Sequence, residues 1–175
     1  MTNLKLSTYL SEEQIQKKVK ELGEILTKKF KGQEVVAVCV LKGSFVFYSD
    51  LIRNINTDIS CEFFGVSSYH GSTSSSGEVK VTLDLAHPVE GKHVLLVEDI
   101  VDTGRSAEFL LHVLEKRGAA SLKMCAFIDK RERREVEVSV DFAGFPIQKG
   151  FIVGYGMDYA EKYRELDAVY ELVPE

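Results

Sequence analysis

Three carboxylates and a glycine-containing turn lie close together in residues 94–106 (VLLVEDIVDTGRS). The apolar run 94–97 predicts a buried strand, Glu98 and Asp99 follow it, and residues 102–104 open a predicted helix. Carboxylates bind sugar hydroxyls or Mg²⁺, and the free amides at a helix start bind phosphate. The segment therefore suits one compact ligand, a ribose that carries a 5′-phosphate. An acidic pair at a strand end also compensates a helix dipole, but three acids in five residues exceed what capping requires.

Composition and charge limit the partners of the chain. Its 175 residues suit one domain with a full core, and 45% hydrophobic with 28% charged residues is typical of a globular protein. The formal net charge of −5 and the pI of about 5.5 disfavour a protein that coats nucleic acid, so we expect no nucleic-acid partner. An anionic ligand must then be met by local cations or by a metal ion.

Targeting and redox features favour a cytoplasmic location. The N-terminus lacks a charged-then-apolar leader, and no apolar run approaches about 18 residues, so we expect no membrane association. The three cysteines, Cys39, Cys61 and Cys125, lie apart inside apolar stretches. This pattern fits neither a metal site nor a disulfide framework, and it favours a reducing compartment.

Predicted strands and helices alternate along the chain. Residues 11–14 (SEEQ) form a capping box, after which apolar residues recur at helical spacing until Gly32. Further strands are predicted at 35–41, 59–66, 93–97 and 122–128, and further helices at 44–53 and 104–117. This order favours an α/β fold with a mostly parallel central sheet flanked by helices, in which ligands bind beyond the carboxyl ends of the strands.

Two segments depart from this alternation. Residues 67–77 (SSYHGSTSSSG) are rich in serine and glycine, and they fit either a disordered hairpin tip or a mobile lid whose Tyr69 closes over a ligand. From Phe142 onward the chain becomes aromatic and dotted with glycine, which is poor material for another strand–helix unit. We expect this second part to form a small appendage over the sheet.

Five short motifs resemble, in the same order, those of the purine phosphoribosyltransferases. They are residues 41–44 (LKGS), 68–69 (SY), 97–104 (VEDIVDTG), 129–131 (DKR) and 151–159 (FIVGYGMDY). The acidic run alone indicates the type I phosphoribosyltransferase superfamily, and the segment FIVGYGMDYAEKYREL narrows the resemblance to the 6-oxopurine branch. The chain as a whole resembles the bacterial hypoxanthine-guanine phosphoribosyltransferases. The resemblance covers nearly the full length.

This resemblance also implies a domain organisation. It implies the type I phosphoribosyltransferase fold in one domain over residues 1–175, with a small hood over the active site that is built from N- and C-terminal segments. The purine-binding elements of the hood would lie mainly within 142–175. A lid at about 67–78 would include Ser68 and Tyr69.

The implied activity is that of a purine salvage enzyme. Members of this family transfer the 5-phosphoribosyl group of phosphoribosyl diphosphate (PRPP) to N9 of hypoxanthine or guanine, forming IMP or GMP and pyrophosphate, with Mg²⁺ as cofactor. The C1′–O bond breaks to leave an oxocarbenium-like ribose, the charge of pyrophosphate must be neutralised, and the purine must lose a proton. The family also implies a homodimer or homotetramer.

The resemblance assigns the PRPP site to the acidic run. Glu98 and Asp99 would bind the ribose 2′- and 3′-hydroxyls and Mg²⁺. Asp102 would lie near purine N7, as the proton acceptor or as the group that stabilises the cationic ribose. The 5′-phosphate would be held by the backbone amides and the two hydroxyls of Thr103, Gly104, Arg105 and Ser106, while Asp102 belongs to the wider PRPP-binding set. The Arg105 side chain is equally compatible with a position in solvent.

Pyrophosphate would be bound by residues from two distant parts of the sequence. Lys42 and Gly43 follow the first core strand, and the family holds the peptide bond before this lysine, Leu41–Lys42, in the cis form. Arg164 matches the second pyrophosphate contact of the family. Without the resemblance, Lys42 would be read as a solvated loop charge and Arg164 as an ordinary surface arginine.

A separate set of residues would bind the purine. Lys130 would donate to the O6 atom, an acceptor that adenine lacks. Phe151 would stack on the ring, and the backbone of Ile152 and Asp158 would face its N1 and C2 edge. The Asp158 carboxylate would reach a second Mg²⁺. Core packing is the alternative for Phe151 and Ile152.

Two other functions are compatible with the resemblance. A xanthine-preferring or broad 6-oxopurine enzyme would differ only in the backbone near Ile152 and Asp158. A PRPP-sensing regulator that binds RNA or DNA would lose the residues that recognise the base, replace Asp102, or carry a basic face or an added domain, and the sequence has none of these features.

Gly150 stands where some members carry a charged residue, so no contact from that side chain is expected. The charged run 131–134 (RERR) fits a solvated turn better than a site that gathers PRPP.

Overall fold

Strands and helices alternate along the chain in a computed structural model, which describes residues 4–68 and 79–174. The strands are β1 (Leu4–Leu10), β2 (Glu34–Leu41), β3 (Asp58–Ser68), β4 (Val79–Leu83), β5 (His93–Val101), β6 (Ser121–Lys130), β7 (Phe142–Ile147), β8 (Ile152–Val153) and β9 (Val169–Pro174). The helices are α1 (Glu12–Lys29), α2 (Phe45–Arg53) and α3 (Arg105–Lys116).

The central sheet has six strands in the order β4-β3-β2-β5-β6-β7. Neighbouring strands are parallel except for β3 and β4. The apolar runs explain this arrangement, because residues 35–40 of β2 and 94–98 of β5 are all buried, as in a sheet that is covered on both faces. The predicted α/β fold with a mostly parallel sheet is confirmed.

Helices cover both faces of this sheet. On one face, Ala37 of β2 packs in a cluster with Leu26 of α1 and Phe47 of α2. On the other face, the next side chain of β2, Val38, packs with Leu110 of α3. Successive side chains of a strand point to opposite faces, so one apolar run supplies both cores.

The start of α1 follows its sequence signature. The Ser11 hydroxyl accepts a hydrogen bond from the Gln14 amide at 3.3 Å, and the Gln14 side-chain carbonyl accepts one from the Ser11 amide at 2.9 Å. These two bonds satisfy amides that the first helical turn leaves free, and the predicted capping box is confirmed. The helix ends just before Gly32, whose φ of +75° favours glycine.

A crevice opens between β2 and β5. β2 connects through α2 to β3 on one side, and β5 connects through α3 to β6 on the other, so the strand order reverses between them. Pairing of β2 with β5 ends at Cys39 and Val97, although both strands continue. Ligands of open α/β sheets bind at such a point, beyond the carboxyl ends of the strands. β5 is also longer than predicted, so Glu98 and Asp99 lie inside it rather than after it.

The expectation that residues 142–147 belong to an appendage was wrong. This segment is β7, which extends the central sheet parallel to β6. A Cβ at Gly144 would lie 2.4 Å from the Phe127 carbonyl oxygen, so glycine is required for this close approach of strands. Phe145 packs edge-on against Phe127 with 5.6 Å between ring centroids. The glycine and aromatic residues of this segment therefore serve strand packing.

The expected hood begins after β7. β1, β9 and β8 form a second, antiparallel sheet in that order, which joins the N-terminal and C-terminal segments. Ile152 of β8 and Val169 of β9 are buried in the same core cluster as α1 and α2. The hood is thus anchored to the central sheet.

The expected lid lies largely outside the described residues. Ser68 ends β3, where it pairs with Val79 of β4, a strand that the sequence reading did not predict. Tyr69 and the rest of 69–78 fall outside the described ranges.

Cys39, Cys61 and Cys125 are free thiols, as expected. In residues 4–68 and 79–174, no helix has the length and apolar character needed to span a membrane.

Candidate active site

Two adjacent cavities, each of about 220 Å³, lie at the carboxyl ends of β2, β5 and β6. The first, called the loop cavity, is lined by Val40, Leu41, Gly43, Val66, residues 98–104, Ser106 and Ala107. The second, called the hood cavity, is lined by Asp99, Ile100, Asp102, Lys130, Arg133, residues 150–152, Met157 and Asp158. Asp99, Ile100 and Asp102 line both cavities and mark their junction.

The turn after β5 leads into the N-terminus of α3 at the loop cavity. Gly104 precedes α3 with φ of +87°, and a Cβ there would lie 2.4 Å from a backbone carbonyl oxygen of the neighbouring loop, so this turn requires glycine. Thr103 and Ser106 line the cavity beside this helix N-terminus, where free amides and the helix dipole favour an anion. The Arg105 guanidinium instead pairs with Glu135 at 2.5 Å, so its side chain takes the solvent-side position.

The β5 acids lie in surroundings that disfavour their charge. Burial raises the pKa of Glu98 well above its usual range, and the neighbouring Asp99 raises it further. Removal from water raises the pKa of Asp99 to about 6, against hydrogen bonding to the Ile100 backbone and the attraction of Arg164. The site therefore concentrates negative charge that a cationic partner would stabilise.

The donor set of this acidic pair fits Mg²⁺. Asp158 of the hood lies close enough to Asp99 to raise its pKa, so carboxylates from β5 and from the hood face a common region. Within the described ranges, no group of three or more potential ligand side chains is positioned to hold a metal ion alone. Mg²⁺ commonly takes one or two carboxylates and completes its octahedron with water and phosphate oxygens. The carboxylates fit an ion that arrives with a phosphorylated ligand.

The turn after β2 packs tightly against these acids. A Cβ at Gly43 would lie 1.7 Å from Oδ2 of Asp99, so a larger residue at 43 would displace the carboxylate. The Leu41–Lys42 peptide bond is cis, the form that the family holds before this lysine. Lys42 does not line the loop cavity but extends toward the hood.

Asp102 stands between the two cavities. Its Oδ2 atom lies 4.0 Å from Nζ of Lys130 and 3.6 Å from Nη1 of Arg133. Its Oδ1 atom is buried and has no hydrogen-bond partner in the part of the chain that the structure describes. Buried polar atoms are normally paired, so an unpaired carboxylate oxygen at this junction indicates a ligand partner.

The hood cavity carries a buried cation beside an exposed aromatic ring. The Lys130 side chain is 9% exposed and donates to the Gly150 carbonyl oxygen at 3.0 Å. Phe151 is 53% exposed and meets Tyr159 edge-on at 5.6 Å between ring centroids, so core packing does not explain it. The Ile152 side chain, by contrast, is buried in the core, which leaves only its backbone for the cavity.

Four charged side chains meet at the mouth of the site. Lys42 donates to Glu161 at 2.8 Å, and Arg164 contacts the other oxygen of Glu161 at 3.3 Å and Asp158 at 2.8 Å. The two cations that the resemblance assigns to pyrophosphate thus share one carboxylate. Nε of Arg164 is buried without a hydrogen-bond partner among the described residues. The structure brings Lys42, Arg164 and Asp158 together from distant parts of the sequence.

Sequence reasoning missed the roles of three charged residues near the site. Glu161 was not singled out, and Arg133 and Arg134 were assigned to a solvated turn. That interpretation suits Arg131, which is 80% exposed, but it is wrong for Arg134, which is 8% exposed. Arg133 lines the hood cavity. The run RERR carries no local signal that separates buried from exposed arginines, because their neighbours in sequence are alike.

Comparison with known proteins gives a family match over most of the chain. A model of the phosphoribosyl transferase domain matches residues 5–160. The hypoxanthine-guanine phosphoribosyltransferase of Lactococcus lactis is 48% identical over 166 residues, which cover 95% of this chain and 90% of that protein. The enzyme of the same name from Bacillus subtilis is 46% identical over 165 residues, which cover 94% of this chain and 92% of that protein.

A solved structure agrees with the fold. The crystal structure of a hypoxanthine phosphoribosyltransferase from Staphylococcus aureus superposes with a TM-score of 0.91 and 43% sequence identity. The superposition covers 96% of this chain and 91% of that one. The central sheet and the hood therefore follow the arrangement of a solved relative.

Proposed function

This chain belongs to the phosphoribosyltransferase family, and we propose that it transfers the 5-phosphoribosyl group from PRPP to N9 of hypoxanthine or guanine, releasing pyrophosphate and forming IMP or GMP. The single observation that carries the proposal is the pair of cavities that meet at Asp102. One cavity has the features of a phosphate site, and the other places a buried ammonium group beside an exposed aromatic ring. A donor and an acceptor held in these cavities would meet at the unpaired carboxylate oxygen.

The loop cavity would hold the donor. The 5′-phosphate lies at the N-terminus of α3, where backbone amides and the hydroxyls of Thr103 and Ser106 satisfy its oxygens. Glu98 and Asp99 accept hydrogen bonds from the ribose hydroxyls. The requirement for glycine at 104 keeps the turn compact enough for this approach.

The diphosphate of the donor would extend toward the hood. Lys42, the Gly43 backbone and Arg164 bind its oxygens, and Nε of Arg164 has no hydrogen-bond partner among the described residues. Glu98 and Asp99 would hold Mg²⁺ and Asp158 would reach a second ion, and the bound metal would supply neutralisation of the phosphate charge. Side chains on both sides of the diphosphate thus favour separation of pyrophosphate from C1′.

Asp102 would act on the forming bond. As the C1′–O bond breaks and the C1′–N9 bond forms, positive charge builds on the ribose and the purine loses a proton. The Asp102 carboxylate is positioned to accept that proton and to stabilise the ribose charge. Its Oδ2 atom lies within ion-pair distance of Lys130 and Arg133, which would help to hold the carboxylate at the junction.

The hood cavity would select the base. Phe151 stacks on the purine, and the backbone of Ile152 and Asp158 faces the N1 and C2 edge. The Lys130 ammonium group donates to O6 of a 6-oxopurine. Adenine presents an amino group at this position, which cannot accept a hydrogen bond from the ammonium group, so adenine is disfavoured.

The test is an assay of the purified protein with PRPP, Mg²⁺ and each of hypoxanthine, guanine, xanthine and adenine. We expect nucleotide and pyrophosphate from hypoxanthine and guanine, and little or none from adenine. Xanthine as the fastest acceptor would replace the proposal with the xanthine-preferring alternative. Absence of product with all three 6-oxopurines would overturn the enzyme assignment.

We also propose that the chain forms one domain with a lid at about 67–78. It would assemble as a homodimer or homotetramer and work in the cytoplasm. Phe45 and Phe63 are each 43% exposed, and Phe63 packs on Tyr48, which leaves apolar surface available for self-association. The three free thiols suit a reducing compartment. Light scattering of the purified protein would measure the oligomeric state, and a Tyr69→Ala variant with lower turnover would support the lid.

Replacing Glu161 with glutamine is expected to strengthen PRPP binding. The Glu161 carboxylate pairs with Lys42 and Arg164, the two cations proposed for pyrophosphate, and the ligand must displace it. The Glu161 side chain is 65% exposed and water screens its pairs, so the KM for PRPP should fall only about 2- to 5-fold at low salt. The difference in KM between the variant and the unmodified protein should become smaller as added salt screens the ion pairs.

The matched control for this variant is Glu165→Gln. Glu165 is exposed and lies next to Arg164 in sequence, so its replacement makes the same change in net charge. We expect it to leave the KM for PRPP within about twofold, since charges at the surface act weakly. An equal effect of both variants would assign the gain to net charge rather than to the Glu161 contacts.

A further inference from the structure

Arg134 lies buried between the loops that follow β5 and β6. Its Nε–H donates to the Asp102 carbonyl oxygen at 3.0 Å, and one Nη donates to the carbonyl oxygens of Val101 at 3.1 Å and Lys130 at 3.2 Å. The same Nη pairs with the Asp129 carboxylate at 2.7 Å. One guanidinium therefore joins the backbone of Asp102 to the backbone of Lys130.

The Arg134–Asp129 pair is shielded from water. The side chains are 8% and 5% exposed, in contrast to Arg131, which contacts the other oxygen of Asp129 at 3.1 Å and is 80% exposed. A buried ion pair holds a defined geometry because removing either partner leaves an uncompensated charge. Asp129 precedes Lys130 in β6, so the pair also fixes the residue next to the base-reading lysine.

The segment that carries Arg134 is tied to the same turn by its backbone. The amides of Glu135 and Val136 both donate to the Thr103 carbonyl oxygen, at 2.9 and 3.0 Å. The side chain and the following backbone thus act on three successive carbonyl groups, those of residues 101–103. A lysine at 134 has no planar fork and cannot reproduce this set of bonds.

We propose that Arg134 is a positioning residue that fixes the Asp102 carboxylate relative to the Lys130 ammonium group, so that one purine meets both. The inference rests on the proposed function. Lys130 Nζ and Asp102 Oδ2 are 4.0 Å apart, and both line the hood cavity. Catalytic groups act only when held in a near-attack geometry, and a displacement of about 1 Å costs on the order of 10²-fold in rate. Arg134 supplies that constraint without touching a ligand.

The experiment compares Arg134→Lys with Arg131→Gln, which alters the exposed contact to the same Asp129. Steady-state kinetics with PRPP and hypoxanthine should give a kcat about 10- to 100-fold lower for Arg134→Lys, with a much smaller change in the KM for PRPP. Arg131→Gln should stay within about twofold of the unmodified protein, because the buried pair remains. Circular dichroism and thermal melting establish that each variant is folded.

A double-mutant cycle separates positioning from a general structural role. If Arg134 acts through Asp102, Arg134→Lys should cost little further rate in an Asp102→Asn background, whereas independent effects would multiply. A kcat within twofold of the unmodified protein, or full multiplication in the cycle, would overturn the inference. Should Arg134→Lys fail to fold, Arg134→Gln, whose side-chain amide cannot reproduce the set of bonds to the carbonyl groups of residues 101, 102 and 130, carries the same comparison. An unmodified protein without transferase activity would instead overturn the proposed function together with this inference.

Discussion

Asp102→Asn is expected to lower kcat by about 10²–10⁴-fold while the dissociation constant for PRPP changes by less than about threefold, the range typical for loss of a general base. The substitution keeps the shape of the side chain but removes the charge that faces the junction of the two cavities. Asp102 Oδ1 is buried and unpaired among the described residues, which supports the proposal that its partner in the reaction is the ligand. The measurement combines steady-state kinetics with calorimetric titration of Mg²⁺–PRPP.

The control for this variant removes a carboxylate outside the site. Asp84 forms a bidentate pair with Arg117 at 2.7 and 2.9 Å, and Asp84→Asn should leave kcat unchanged while it weakens this surface contact. A parallel loss of PRPP affinity and rate in Asp102→Asn would contradict the assigned role. It would make Asp102 a residue that holds the donor rather than one that acts on the forming bond.

Lys130→Met should reduce kcat/KM for hypoxanthine and guanine by about 10- to 150-fold. A hydrogen bond from a charged donor contributes about 1.5–3 kcal/mol, and this variant removes it from the purine O6. Use of adenine should rise or stay constant, because adenine has no acceptor for the ammonium group that this variant removes. The ratio of hypoxanthine to adenine kcat/KM is therefore the decisive quantity, since it cancels losses that affect both bases equally.

Lys123→Met provides the comparison on the same strand. Lys123 lies on β6 as Lys130 does, but it pairs with Asp141 at 2.7 Å at the surface. We expect it to leave the base ratio unchanged. A Lys130→Met protein that discriminates against adenine as strongly as before would remove the lysine from base selection and leave the backbone of the hood as the selector.

Local sequence patterns were sufficient to predict the central parallel sheet and the place where its ligands bind. The capping box at Ser11, the apolar run of β2 and the strand–turn–helix at 94–106 each encode their structure within about ten residues. Their alternation fixes a parallel sheet, and a parallel sheet fixes where ligands bind. The position of Glu98, Asp99 and Asp102 at one crevice followed from this reasoning.

Contacts between distant segments account for what the sequence did not reveal. β7 was misread because Gly144 reflects the approach of the Phe127 backbone, which is 17 positions away in sequence and not visible in composition. Glu161 meets Lys42 across a sequence separation of 119. Arg134 is buried only because β5 and β6 are neighbours. The resemblance supplied Lys42, Arg164 and Asp158 as a group, and local pattern alone supplied none of them.

The order of strands β2, β5 and β6 has a consequence for redesign. The three proposed parts of the reactants follow that order, with pyrophosphate at the loop after β2, the sugar phosphate after β5 and the base after β6. Each part is therefore served by its own replaceable segment, and new base specificity can be sought in the third segment and the hood while the donor segments stay fixed. Arg134 joins the second of these segments to the third through its bonds to the carbonyl groups of Asp102 and Lys130. Libraries that vary the third segment should retain this arginine, because we propose that it keeps the acceptor base aligned with the Asp102 carboxylate.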